Sequence, residues 1–213
     1  MATISQGILG GFSGKVGTVI GGFWKGIAYM RSIPASVTQP NTPAQLEHRA
    51  KFKAAVNFLQ PLTDFLRIGF KSYAVKMSAF NAAMAYTMNN AITGIYPLIE
   101  IDYSKVLVCR GTLTGALNPE ATSAVPGEIE FTWDNNTLLG TNSQAGDKAV
   151  LVVYNPTRQV AVSVIGGNTR ASGSQTIVLP AVFVGDEVQC YISFQNAGQS
   201  VVSNSQFVSQ LVV

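Results

Sequence analysis

Residues 128–133 read EIEFTW. Apolar and polar residues alternate, so Ile129, Phe131 and Trp133 fall on one side of an extended chain, while Glu128 and Glu130 share the other, solvent side. That is the pattern of a strand with one face on a core. The same period of two runs from Leu98 to the end. It predicts strands at 99–102, 105–110, 128–133, 149–154, 159–165, 175–179, 187–194 and 206–213. Asn135-Asn136, Gly166-Gly167-Asn168 and Asn196-Ala197-Gly198 divide them, as turn chemistry requires. Short strands at about 8–12-residue spacing predict an antiparallel β-sandwich.

Upstream the period becomes helical. Thr42 suits an N-cap, Pro43 the first helical position, and Gln45 stands three after the cap. Leu46, Phe52, Val56 and Leu59 then recur at near-helical spacing, with His48, Arg49, Lys51 and Lys53 around the other faces. A short second helix is expected over 62–70. Ser78 suits the cap of a third over 79–92, with Phe80, Met84, Met88 and Ile92 four apart. Gly94 and Pro97 then punctuate the change of period. The expected class is α+β, in three segments: an arm over 1–33, a helical region over 34–96 and a sandwich over 97–213.

The front segment is unusual. Glycine stands at 7, 10, 11, 14, 17, 21, 22 and 26, interleaved with Ile8, Val16, Val19, Ile20, Phe23 and Trp24. So much glycine disfavours a helix and suits short extended pieces joined by turns, with backbone packed close to backbone. Such an arm has little core of its own and is expected to order against another surface.

Charge bears on partners. Only 12% of residues are charged, and 47% are hydrophobic. About 25% charged is usual in soluble domains, so buried contact with other subunits, or a β domain rich in Ser, Thr, Asn and Gln, is expected. Residues 1–96 carry nine Lys/Arg against Glu47 and Asp64, net +7; residues 97–213 carry five against nine acids, net −4. Poles of opposite sign suit two modules with different partners, or attraction head to tail. Cys109 and Cys190 lie in apolar, strand-like runs and read as small buried hydrophobes, with a disulfide left open. No secretory pattern opens the chain, and the longest apolar stretch, 16–23, is far short of a membrane span. Cytoplasmic synthesis and no membrane span are the expectations.

Catalytic, metal and cofactor sites are not expected. GGFSGKVG at 10–17 is not a phosphate loop: Val16 follows Lys15 where Ser or Thr is needed, and Leu9 stands where the first Gly belongs. His48 is the single histidine, and no nucleophile–base–orienter set appears. Asp134 and Asp147 suit turns. Lys15, Lys25, Lys51 and Lys53 are the candidate phosphate contacts, with nucleic acid the lesser partner expectation beside a solvated helix face.

Three resemblances follow. The order of Trp133, Tyr154, Leu179-Pro180, Gly185-Asp186 and Tyr191 resembles a fibronectin type III or related immunoglobulin-like domain. That resemblance implies a shared core for Trp133, Leu179 and Tyr191. The whole chain, through QGILGGFSGKVGTVIGGFWKGIAYMRSIP, NTPAQLEHRAKF, NAITGIYPLIEIDYSKVLVCRG, DKAVLVVYNP and TIVLP, resembles a domain family of unknown function abundant in Bacteroidota. It implies no activity or cofactor. The glycine-rich opening, Trp-x-Gly, Met-Arg-x-x-Pro and Thr-Pro-Ala-Gln are similar to short phage and prophage structural proteins. This similarity implies assembly roles for Trp24, Met30, Arg31, Arg49 and Phe52.

Two functions fit. One is a non-enzymatic structural protein that self-assembles as a homo-oligomer through its arm, in a virion or other particle. The other is a binding or adhesion module whose sandwich recognises a glycan or protein.

Overall fold

The computed structural model describes residues 2–4, 7, 10–24, 27–36, 41–137 and 142–213. Lys25, Ile8, Gly26 and linker residues 37–40 lie outside them. The chain divides into two compact units, Met1–Thr42 and Pro43–Val213.

The first unit is an antiparallel β-meander. β1 (Thr3–Ile4), β2 (Phe12–Val16), β3 (Val19–Trp24) and β4 (Ile27–Ser32) lie side by side in chain order. Gly17 takes a left-handed φ of +56° in the turn between β2 and β3, a conformation that glycine adopts without strain. The Phe12 ring and carbonyl occupy the space where a Cβ on Gly21 would stand, and the Tyr29 ring covers Gly22. These glycines make room for rings on neighbouring strands, and at Gly21 also for the close backbone approach that the glycine pattern implied. Gly21 is the one buried residue among those described in this unit.

The second unit begins with α1 (Pro43–Leu59), α2 (Thr63–Gly69) and α3 (Ala79–Asn90). Ser78 caps α3, its hydroxyl accepting from Asn81 N–H at 3.1 Å. β5 (Ile92–Ile95) and β6 (Leu98–Ile101) form a hairpin. Gly94 and Pro97 therefore lie in and beside this hairpin, and the 96/97 line falls inside the second unit. Then come β7 (Leu117–Thr122), β8 (Glu128–Asp134), β9 (Lys148–Asn155), β10 (Val160–Val164), β11 (Ser174–Val178), β12 (Glu187–Gln195) and β13 (Gln206–Val212). They make a four-stranded sheet, β10-β9-β12-β13, and a three-stranded one, β11-β8-β7, with every pair antiparallel. This is the fibronectin III-like sandwich within an α+β chain.

Two cores share the larger sheet. Ile129, Phe131 and Trp133 meet Leu151, Val153, Cys190, Ile192 and Phe194 between the sheets. On the other side, Val150, Val152, Tyr154 and Tyr191 pack on Phe58, Leu59, Leu62, Leu66 and Phe70 of the helical region. Helices and sandwich are thus one folding unit, and β9 is buried on both faces.

Three expectations need correction. Tyr191 does not join Trp133 and Leu179: Cys190 and Ile192 point into the sandwich, so alternation sends Tyr191 to the helices, where its hydroxyl donates to the Tyr103 carbonyl at 2.9 Å. Phe52 is exposed; α1 buries Ala55, Phe58 and Leu59 instead. Residues 105–110 form no strand but an irregular crossing that buries Val106, Val108 and Cys109 against the helical core. In it Cys109 C=O accepts from Ser205 N–H at 2.9 Å.

Candidate functional site

The meander supplies the most unusual surface. By strand register, one of its faces carries three rows. Lys15, Ile20 and Arg31 form the first, Gly22 and Tyr29 the second, and Trp24 and Ile27 the third. The last three apolar side chains line an open hollow of about 500 Å³. Ile27 is 66% exposed, Trp24 64% and Tyr29 47%. The opposite face carries Phe23 and Met30, the latter 71% exposed. Large apolar side chains thus stand in solvent on both faces of a sheet that encloses no core. Monomeric proteins rarely carry contiguous apolar surface of this kind without a partner for it.

The expected site residues divide among several places. Trp24 and Arg31 share one face of the meander, and Met30 lies on the other. Lys15 stands in the row with Arg31. Arg49 and Phe52 are exposed on α1 in the second unit. Phe52, with His48 and Lys51, lines a groove of about 640 Å³ that Met84 and Met88 of α3 close. Lys51 pairs with Glu47 at 2.6 Å, so its charge is answered within its own helix. Lys53 is exposed two residues on, and Lys25 lies outside the described residues. Of the candidate phosphate contacts, Lys51 and Lys53 thus share α1 of the second unit and Lys15 belongs to the first.

The cysteines are buried and free. Cys190 belongs to the sandwich core and Cys109 to the helical core. Burial pushes both thiols up to about 12. Thiols held so far from ionisation are poor nucleophiles and ligands. Among the described residues, no three His, Cys, Asp or Glu side chains cluster as metal ligands would. None of the described helices is long and apolar enough to cross a membrane.

Sequence reading missed two features and part of a third. Arg170 is fully buried and reaches Asp147 at 3.2 Å, Asn136 Oδ1 at 2.7 Å, and the carbonyls of Thr114 and Gly115 at 2.8 and 2.9 Å. Its guanidinium stacks on Phe194 at 3.9 Å. It ties three loops together at one end of the sandwich. Arg110 lies over the Tyr73 ring at 4.2 Å and within 5.4 Å of the Tyr86 ring, in an open groove of about 420 Å³. The third feature is the outer face of β11-β8-β7, where Glu120, Glu128, Glu130 and Asp134 point away from the core. Alternation in EIEFTW already puts Glu128 and Glu130 on the solvent side; Glu120, and Asp134, expected in a turn but closing β8, complete the face.

Residues 11–209 match the model of a family of unknown function, DUF6266. Among solved structures, the chain is similar to the fn3 domain of human collagen alpha-1(XX) chain at 14% identity. That match has a TM-score of 0.33 and covers 47% of this chain and 85% of that one. No curated protein matches. With its sequence matched from the first unit through the last strand of the sandwich, the chain belongs to the DUF6266 family of unknown function.

Proposed function

We propose that this protein is a non-enzymatic structural subunit that self-assembles through its N-terminal meander, as a component of a phage-type virion or comparable particle. The observation that carries the reading is the coreless sheet with Ile27 and Met30 66% and 71% exposed. Burying an apolar side chain of this size contributes about 1.5–3 kcal/mol. A joint made from several of them supports stable association once the entropy of association is offset. The second unit holds both hydrophobic cores, so it has what it needs to fold alone. The assembly reading favours a joint and a body, each with its own role. The buried thiols and the exposed His48 support a non-enzymatic reading.

Deleting residues 1–33 tests the proposal. Size-exclusion chromatography with light scattering is expected to show a folded monomer from the truncated chain and a larger species from the full chain. A truncated chain that assembles like the full one sinks the reading. So does one that fails to fold.

A second reading, a binding module, is favoured by the groove of Arg110. A guanidinium held beside two tyrosine rings in an open groove suits a carboxylate on a protein or an acidic glycan. Arg110→Ala abolishing binding to such ligands in a glycan and peptide array is the outcome that reading requires.

A further inference from the structure

Resting on the assembly reading, we infer that the partner of the meander is the outer face of β11-β8-β7 on a second copy of this chain, in a head-to-tail contact.

The chemistry of the two faces is complementary. Residues 1–42 contain Lys15, Lys25 and Arg31 and no acid. Lys15 and Arg31 flank Ile20 in one cross-strand row, on the same face as Tyr29 and Ile27. The sandwich face is the reverse. Its outward residues are Glu120 and Thr122 on β7, Glu128, Glu130, Thr132 and Asp134 on β8, and Ser174, Thr176 and Val178 on β11. No lysine or arginine is among them. No ion pair engages any of the four carboxylates among the described residues. At one end of this face the surface turns apolar. Val178 is 71% exposed, and Val125 and Val184, both exposed, flank the Gly127 turn that leads into β8. The other sheet of the sandwich packs its outer side on the helices, so this face is the one the fold leaves open to a partner.

The spacing agrees as well. Alternate residues on a strand stand about 6.7 Å apart. On the meander, the row of Ile27 lies two rows from that of Lys15 and Arg31, about 13 Å. On the sandwich, the row of Val178 and Glu128 lies one row from Glu130 and two rows from Glu120, again about 13 Å. Ile27 set on Val178 therefore brings the row of the two cations over the row of Glu120, with Glu130 one row, about 6.7 Å, away. Because the two surfaces differ, each copy offers one of each. The contact is heterologous and propagates into a ring or a filament rather than closing as a dimer.

Charge exchange between full-length chains tests this. Lys15→Glu/Arg31→Glu places acid against acid, and Glu120→Lys/Glu130→Lys places base against base. Each variant alone is expected to lose at least about tenfold in association by sedimentation velocity at low salt, since like charges across an interface oppose it. An equimolar mixture of the two is expected to assemble, because each now fits the other. Should Glu120→Lys/Glu130→Lys fail to fold by circular dichroism, Thr176→Lys/Val178→Lys repeats the test from the neighbouring strand. Unchanged assembly of either sandwich variant, while Ile27→Asp abolishes it, overturns this pairing and leaves the meander as the joint. The pairing is equally overturned if the mixture stays dissociated while one chain carrying all four changes behaves as wild type, since the contact then lies within a chain. A wild-type chain that is monomeric at every concentration overturns both the pairing and the reading on which it rests.

Discussion

Replacing Arg170 by Met is expected to cost about 3–5 kcal/mol, the cost of breaking one side of a buried ion pair. The guanidinium is inaccessible, and the Asp147 side chain is only 1% exposed. Methionine keeps much of the contact with Phe194 but removes four donor contacts. Gly115 C=O keeps the Asn136 amide at 3.1 Å, and Asp147 keeps Gln144 N–H at 2.9 Å. The uncompensated losses are then the carboxylate charge, the buried Asn136 Oδ1 and the part-buried Thr114 carbonyl, a buried acceptor being worth about 1–3 kcal/mol when orphaned. Loop relaxation that lets water in holds the total near the range for the pair, because such contributions are not additive. Against the usual 5–15 kcal/mol of net stability this is a large fraction. Urea unfolding followed by Trp133 fluorescence measures it, since the indole N–H donates to the Arg170 carbonyl at 2.8 Å. A Trp24→Phe background removes the other indole. Arg170→Met/Asp147→Leu is expected to recover part of the loss, because it removes the stranded charge. A single-variant cost below about 1 kcal/mol would refute the view that this pair holds the loops.

Other perturbations follow from the same contacts. Neither cysteine is expected to react with a thiol reagent at neutral pH in the folded protein, and both are expected to react in urea; rapid native labelling contradicts their burial. Asp186 accepts from the Asn155 amide and the Arg158 guanidinium, which hold its carboxyl below the usual carboxylate range. Its folded value is depressed, so its contribution is present above the unfolded pKa and lost as pH falls through the folded one. Asp186→Asn is therefore expected to lower the melting temperature at pH 7 and to converge with wild type in acid; an equal gap at both pH values contradicts this. Tyr191→Phe removes the hydroxyl bond to Tyr103 and is expected to cost about 1 kcal/mol in urea unfolding, while no change would show the bond to be worthless.

Much of the second unit was legible because its local signals agree with its tertiary contacts. Pro43 opens α1, Ser78 caps α3, and alternation in EIEFTW places Trp133 in the sandwich core. The failures have physical causes. KAVLVVYN is apolar throughout because β9 is buried on both faces, and continuous apolarity conceals which residue faces which core. Tyr191 was misplaced by the same ambiguity. β7 was missed because Asn118 has φ +44°, Pro119 lacks a donor, and the register shifts between Leu117 and Glu120, so no clean alternation appears. Phe52 fits an apolar helical spacing, yet the neighbours of α1 contact the line of Ala55, Phe58 and Leu59. In the meander, glycine density correctly signalled extended pieces with little core. The pairing that sets Lys15 beside Ile20 and Arg31 is a property of register, which single-strand patterns do not carry. Arg170 was invisible for a similar reason: its partners come from segments 23 to 56 residues away.

The meander as a joint between copies is tested most directly by sedimentation velocity on the full chain and on Ile27→Asp, over a range of concentrations. The wild-type chain is expected to sediment above its 22.6 kDa monomer mass and to grow with concentration. Ile27→Asp, with a charge set in the exposed apolar face, is expected to remain a folded monomer. A wild-type chain that stays at monomer mass throughout, or an Ile27→Asp chain that assembles like wild type, contradicts the claim.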